Sequence, residues 1–468
     1  MDFSLAHFDH PPPDYVTSTD PPDAHVVSGP RNLVYLSTAS EVERDVPSLP
    51  FVPPPDYSVE PGTGEQRLAH STGRRRSHQH EGVLRRSHNT VCVALRGQNE
   101  QARRPAYGRG LILGNVAIMN SHNTTSVTMT VSSTTSPSAC SKITWLQIEG
   151  RMDIGLGDAA KTRWTFMSTT CTLWKGDGPC PSVLPLECVI PETFVDPADG
   201  RQRPLPPTYD PSNSSLRDMH TRVSYRIIIR VTEEKFAGLW KPRRSNSLVV
   251  PFDYIPRARP HRPVLVSPFP FLSFVKSTPE EWHQVNVPIA SVLPSLSGVD
   301  CNLFIPDVQI YGKEDTIPFF LQLCAPALSM REFFHPTLPV QKVHRSRSSH
   351  NPSDSDPSIR VYIKRQTTGM SRGEKLSRSY VIAEGVLCPI PPGSSPGGHA
   401  PSEELAVDYE GKLVISAEVT VGSFNIGRLS VLDFIVLSVI PCNLHTPLFE
   451  EVNHSHPIRI VTDSYRYD

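Results

Sequence analysis

The chain has no CxxC pair, no lysine before Lys142, almost no net charge and no apolar run long enough to span a bilayer. Its nine cysteines lack zinc-ligand spacing, and the closest trio, Cys171, Cys180 and Cys188, is expected to be made of reduced thiols like the rest. The opening residues, MDFSLAHFDHPPP, carry neither the basic nor the apolar region of an export signal, and the longest apolar stretch, Val431 to Ile440, is broken by Asp433. A formal net charge of −1 gives no global reason to expect nucleic acid as a partner. GxSxG, HExxH and P-loop patterns are absent, as is GxGxxG between a strand and a helix, so neither an enzyme nor a cofactor is expected. His454-Ser455-His456 is read as a surface loop and not as a metal site. No segment holds a 3.6-residue period over the twelve or more positions that a helix assignment needs.

What the chain does have is proline, 48 residues of it, and one pentapeptide used twice. PPPDY occurs at 11–15 and again at 53–57. Consecutive prolines hold the backbone near polyproline II, so little entropy is lost when an aromatic groove binds them. In a PPxY ligand of a WW domain, Pro12-Pro13 and Pro54-Pro55 form the ridge, and Tyr15 and Tyr57 fill the second pocket. Chance supplies about 0.14 PPxY matches in a chain of this composition, and three are present. The third, Pro206-Pro207-Thr208-Tyr209, falls between strands and is read as a turn or packed loop.

Residues 1–73 hold eleven acidic side chains against Arg31, Arg44 and Arg67, whereas 74–109 hold nine arginines against Glu81 and Glu100. The acidic, Pro/Ser/Thr-rich tail cannot bury enough apolar surface to offset its ordering entropy, so residues 1–84 are expected to be disordered. From about residue 88 the pattern changes to short alternating strands. Arg222 to Val231 is the clearest: Val223, Tyr225, Ile227, Ile229 and Val231 share one face, with Ser224, Arg226 and Arg230 on the other. Further strands are expected at 91–95, 111–119, 126–131, 143–149, 164–174, 183–190 and 248–252. IPRARPHRP (255–263), with three prolines and no expected ladder hydrogen bonds, marks a boundary. The rhythm resumes at 282–289, 302–305, 316–323, 359–364, 379–387, 412–421, 434–440 and 458–461. An all-β fold follows, of two tandem immunoglobulin-like β-sandwiches at 85–260 and 261–468.

Several stretches, in order, resemble the arrestin superfamily and in particular the alpha-arrestins: PAYGRG (105–110), LQIEGRM (146–152), RVSYRIIIRV (222–231), VVPFDYIPRARP (249–260), DTIPFFLQL (315–323) and VLDFIVLSVIP (431–441). The resemblance spans about 89–465. It implies an arrestin N domain, a linker and an arrestin C domain. It also implies an adaptor that recruits the WW domains of a HECT-type ubiquitin ligase to plasma-membrane transporters or receptor tails, promoting their ubiquitination and endocytosis. Such a protein is cytoplasmic and is recruited peripherally to the plasma membrane or endosomes. The alternative is an arrestin-fold scaffold or sorting-coat component that does not recruit ubiquitin. In many relatives the PPxY motifs follow the C domain; here they precede the N domain.

Other candidate sites are regulatory. The basic collar of Arg74-Arg75-Arg76, Arg85-Arg86 and Arg103-Arg104 is a candidate for anionic membrane surfaces or acidic cargo tails. Ser77, Ser87, Ser245 and Ser348 follow arginines and are candidate phosphosites, which could create a site for a phosphoserine-reader protein. Lys142 and Lys161 are the first candidate ubiquitin acceptors, since no lysine precedes them.

Overall fold

The computed structural model describes residues 64–68, 82–118, 142–156, 162–176, 180–211, 219–233, 244–265, 275–334, 358–371, 373–391, 404–441 and 446–466. The first thirteen strands are β1 (Glu65–Arg67), β2 (Val83–His88), β3 (Val91–Arg96), β4 (Ala106–Tyr107), β5 (Gly110–Ile118), β6 (Lys142–Leu156), β7 (Thr162–Gly176), β8 (Val183–Ile190), β9 (Thr193–Val195), β10 (Gln202–Pro204), β11 (Met219–Glu233), β12 (Arg244–Tyr254) and β13 (Ala258–Pro260). A four-stranded sheet, β2-β3-β5-β8, faces a five-stranded one, β4-β12-β11-β6-β7. In β11 the residues Val223, Tyr225, Ile227, Ile229 and Val231 are all buried in the shared core, as the alternation predicts. Ile228, which breaks that alternation, is buried on the other face.

The remaining strands are β14 (Trp282–Ile289), β15 (Val299–Pro306), β16 (Ile310–Gly312), β17 (Thr316–Pro326), β18 (Ser358–Ser371), β19 (Glu374–Glu384), β20 (Val386–Pro389), β21 (Glu404–Val414), β22 (Phe424–Asn425), β23 (Leu429–Ile440) and β24 (Val452–Val461). They form a second pair of sheets, β14-β15-β17-β21-β20 and β16-β24-β23-β18-β19, around a second core. The chain is therefore all-β, with two sheet pairs each enclosing a hydrophobic cluster. A seven-residue helix, α1 (Ala327–Phe333), follows β17 and buries Met330 and Phe333; it is too short to carry a periodic signal.

Several expectations change. The expected strand at 412–421 ends at Val414: Ile415 and Val419 stay buried, but Ser416 donates its N–H to the Ile382 carbonyl, and Ala417 is exposed. The strand expected at 379–387 is split at Gly385, whose N–H turns to the Val361 carbonyl. The boundary segment 255–263 does make ladder hydrogen bonds. Its β13 pairs with β1, a strand inside the region expected to be a disordered tail. Prolines 256, 260 and 263 spare the groups that face β1: His261 N–H donates to the Gly64 carbonyl and the Arg257 carbonyl accepts from Leu68, while the Ala258 N–H turns away to Thr462 Oγ1. The strand expected at 126–131 and the Ser/Thr run at 132–138 lie outside the described residues.

The reduced-thiol reading also fails at one place. Cys171 in β7 and Cys188 in β8 form a disulfide with Cα atoms 6.3 Å apart. These are edge strands of facing sheets, so folding brings together two members of the trio that spacing alone leaves unpaired. Cys92, Cys180, Cys301, Cys324 and Cys388 are not disulfide-bonded.

The two sheet pairs meet over a packed joint. Tyr209, from the third PPxY match, bridges Val223 by backbone and is 5% exposed. Its hydroxyl lies 3.0 Å from Thr367 Oγ1 of the second sheet pair, and its ring packs edge-on against Phe424. Pro206 and Pro207 are buried with it, so this match is a packed loop. Nearby, Arg428 stacks over the Trp164 ring at 4.7 Å and pairs with Asp196.

Behind the joint, Arg365 and Asp433 face each other across β18 and β23, each 1% exposed. The guanidinium makes two hydrogen bonds to the carboxylate, at 2.8 and 2.9 Å, and a third to the Val421 carbonyl; Ser423 Oγ donates to Asp433. Burial alone would lower the Arg365 pKa, but the Asp433 charge outweighs it and holds the guanidinium ionised. Arg365→Met, which leaves a buried unpaired carboxylate, is expected to lower unfolding free energy by about 3–5 kcal/mol, whereas Arg365→Met/Asp433→Leu costs clearly less; urea titration of both variants checks this. Reduction of the disulfide, or Cys171→Ser/Cys188→Ser, opens a link of sequence separation 17. It is expected to lower stability by about 3 kcal/mol, read by denaturation with and without reductant.

Candidate functional site

Pro12, Pro13, Tyr15, Pro54, Pro55, Tyr57, Ser77, Ser348 and Lys161 lie outside the described residues. Lys142 opens β6, Ser87 sits in β2 and Ser245 in β12. The two serines, 158 positions apart in sequence, belong to strands that flank one cleft.

That cleft, of about 360 Å³, separates the edges of the first sheet pair on the side opposite the disulfide and is lined by Arg86, Ser87, His88, Arg103 and residues 247–251 of β12. β2 pairs only with β3, and β12 pairs with β4 only at Asp253 and Tyr254, so both walls present backbone groups without a ladder partner in the described sheets. The Arg86 guanidinium is held in place by bonds to the Ala102 and Arg103 carbonyls at 2.8 and 3.1 Å, and Arg104 pairs with Asp253. Arg85 and Arg103 remain exposed. Arg74-Arg75-Arg76 lie outside the described residues; the rest of the collar is divided between arginines that brace the loop at 102–104 and arginines that face solvent. An extended segment can add to either strand edge here, and the cations favour an acidic one.

A second cluster was read differently from sequence. His454 and His456 do not lie in a surface loop; they belong to β24. They take the inward positions that Ile458 and Ile460 continue, because the strand period carries the stripe onward. His283 of β14 does the same ahead of Val285, Val287 and Ile289. The His283 and His456 rings stack with centroids 4.5 Å apart, and His456 Nε2 is buried without a hydrogen-bond partner. Burial first, then the charges of His283 and His454, pushes the His456 pKa down to about 4, and the same two causes, burial and His283, lower that of His454. Among the described residues, no group of three or more His, Cys, Asp or Glu is arranged to hold a metal ion.

The third feature is the strap at the joint, which sequence reading missed. β1 adds to β13, with Leu68 N–H donating to the Arg257 carbonyl and His261 N–H to the Gly64 carbonyl. Glu65 pairs with Arg459 of β24 at 2.7 Å, both side chains largely buried. Leu68 is buried, and Arg257 in turn grips Asp463 at 2.8 Å. Gly64 has φ +84° and no room for a side chain, since a Cβ would come within 2.9 Å of His261 Nδ1. The available signal was Glu65-Gln66-Arg67-Leu68, a short charged-polar-apolar stretch that periodicity cannot distinguish from tail.

Because the depressed His456 pKa lies below the unfolded value near 6.5, the unfolded chain takes up the proton first as pH falls. Stability is therefore full above about pH 6.5 and is lost toward pH 4, by about 3 kcal/mol at most. Urea midpoints compared at pH 7.5 and 5 should show this loss, and His456→Phe should reduce it. No protein-family model matches the chain, and no curated protein matches it either.

Proposed function

We propose that this chain is a non-catalytic adaptor of the alpha-arrestin type, which recruits a WW-domain HECT-type ubiquitin ligase to membrane transporters or receptors and so promotes their ubiquitination and endocytosis. The observation that carries the reading is the PPPDY pair, at 11–15 and 53–57, set ahead of an all-β body of two sheet pairs. Burial of Pro206, Pro207 and Tyr209 supports it by contrast: the match that lies inside the body is consumed by packing, and the two remaining copies lie before it. The all-β architecture of two sheet pairs joined at 255–263 supports an arrestin-like pair of domains. The basic cleft between β2 and β12 offers a place for an acidic cargo tail or, with the exposed Arg85 and Arg103, for an anionic membrane surface. Ser87 lines that cleft, so a phosphate there would oppose an acidic ligand. No helix among the described residues is long and apolar enough to cross a membrane.

Two copies on one tether engage neighbouring WW modules together, since 42 intervening residues span roughly 35 Å root-mean-square. In a titrated pull-down against tandem WW domains, Tyr15→Ala/Tyr57→Ala is expected to abolish capture, with each single change losing far less than the pair. Tyr209→Ala should lower thermal stability and leave capture intact. Undiminished capture by the double variant would overturn the adaptor reading in favour of a trafficking scaffold that recruits no ligase.

A further inference from the structure

An antiparallel sheet with one face in water ordinarily alternates apolar side chains inward with polar ones outward. The four-stranded sheet of the first pair departs from this on two adjacent strands. β8 buries Leu184, Leu186, Cys188 and Ile190, yet three of the four residues it turns outward are also apolar, Val183, Pro185 and Val189. Beside it β5 turns out Leu111 and Leu113, and these two leucines and the two valines are each 44% to 59% exposed. The facing sheet shows the ordinary arrangement, with Ser224, Arg226 and Arg230 at outward positions of β11. A contiguous apolar patch on a strand face marks a surface that is covered by something else.

The charges on this face lie in one row. Leu113 is opposite Glu187 on β8, and one step along from the Leu95–Gly114 pair it is beside Arg96 of β3. Arg96, Leu113 and Glu187 thus cross the sheet in line, with cation and anion backbones about 10 Å apart on either side of the leucine. Both charged residues are exposed, and neither makes an ion pair among the described residues. Two further rows run Ala94–Asn115–Pro185 and Cys92–Ala117–Val183. In each, the side chain on β3 is small and the one on β8 is larger.

Such a face is complementary to itself. A second copy given half a turn about a line along β5 lays its β8 over β3 of the first copy and its β3 over β8, the arrangement of an isologous contact. Leu111 and Leu113 then meet their own counterparts at the axis. Arg96 of each copy faces Glu187 of the other, Ala94 faces Pro185, and Cys92 faces Val183. Across these three strands no like charges oppose one another. Aligned sheets pack face to face in this way, about 10 Å apart with strands crossing at about −30°.

We infer that the outer face of β3, β5 and β8 is an interface between two copies of this chain, with a leucine centre flanked by two Arg96–Glu187 pairs. Strands of six, nine and eight residues present a small surface. The total area buried is on the order of 1,000 Å², at the lower limit for a specific interface, so the dimer forms and dissociates with concentration. The charge pairs set orientation more than affinity. The interface does not depend on the adaptor reading, although a dimer brings four PPPDY copies together.

The test is sedimentation velocity on the full-length chain over a concentration series, with thermal unfolding of each variant as the control for folding. The wild type is expected to pass from monomer to dimer in the micromolar range. Leu113→Glu, at an exposed position on the axis, should weaken association about tenfold or more at an unchanged melting temperature. Arg96→Glu and Glu187→Arg should each associate about fivefold more weakly alone, because like charges then face each other twice. Mixed in equal amounts, these two variants should form a heterodimer within about threefold of wild-type affinity, and Arg96→Glu/Glu187→Arg should do the same with itself. A folding defect cannot produce that rescue. A wild type that stays monomeric, a dimer that survives Leu113→Glu, or single variants that do not associate when mixed overturns the inference. Flotation with vesicles of phosphatidylserine and phosphatidylcholine in equal parts covers the other occupant: monomeric wild type that binds them, with binding lost in Leu113→Glu, assigns the face to a membrane and overturns the dimer.

Discussion

The buried Arg365–Asp433 pair dictates the path of the segment that follows β21. A charge pair in the middle of a sheet is tolerable only if its remaining hydrogen-bonding capacity is filled, and here the segment after β21 fills it. Val421 offers its carbonyl to Arg365, and Ser423 donates to Asp433 while accepting the Ile460 N–H. The segment so pinned runs on into the joint. Phe424 meets Tyr209, Ile426 enters the core of the first sheet pair, and Arg428 stacks on Trp164. Gly427, at φ +80°, lets the Arg203 guanidinium lie where a side chain would otherwise sit. The electrostatic requirement of one ion pair thus positions the surface on which the other half of the body rests.

Much of this was open to a reader of strand periodicity, and the parts that were not have physical reasons. β8 and β14 match the expected bounds residue for residue; β8 alternates along its whole length and β14 from Gln284 onward. Arg365 and Asp433 lay just outside the strands expected at 359–364 and 434–440, and a single sequence does not say that they face each other. The histidine trio was hidden for a related reason: imidazole is read as polar, so His454 and His456 looked like loop although the inward stripe runs straight through them. The disulfide and β1 depend on contacts between elements distant in the chain, and local patterning carries no information about those. Of the three PPxY matches, Tyr209 is the one among the described residues, and its packed loop was legible because a proline pair between two strands has to turn.

The first sheet pair is asymmetric in a way that bears on recognition. One lateral side is fastened by Cys171–Cys188 and the other is left open between β2 and β12. An extended ligand entering the open side would find two edges and a row of cations, while the fastened side keeps the sheets from separating. The fastening is chemical, so the rigidity of that side answers to the thiol–disulfide balance of the surroundings.

The strap has a consequence for the chain's solution behaviour. β13 is short, lies between the two halves and presents hydrogen-bonding groups toward β1. Cleavage anywhere between Tyr57 and Gly64 would leave β1 held only by its own few contacts. Once β1 departs, the linker becomes an unprotected sheet edge, the kind of surface on which copies of a protein pair with one another. The five residues from Gly64 to Leu68 thus cover an edge of the linker strand that their loss would expose.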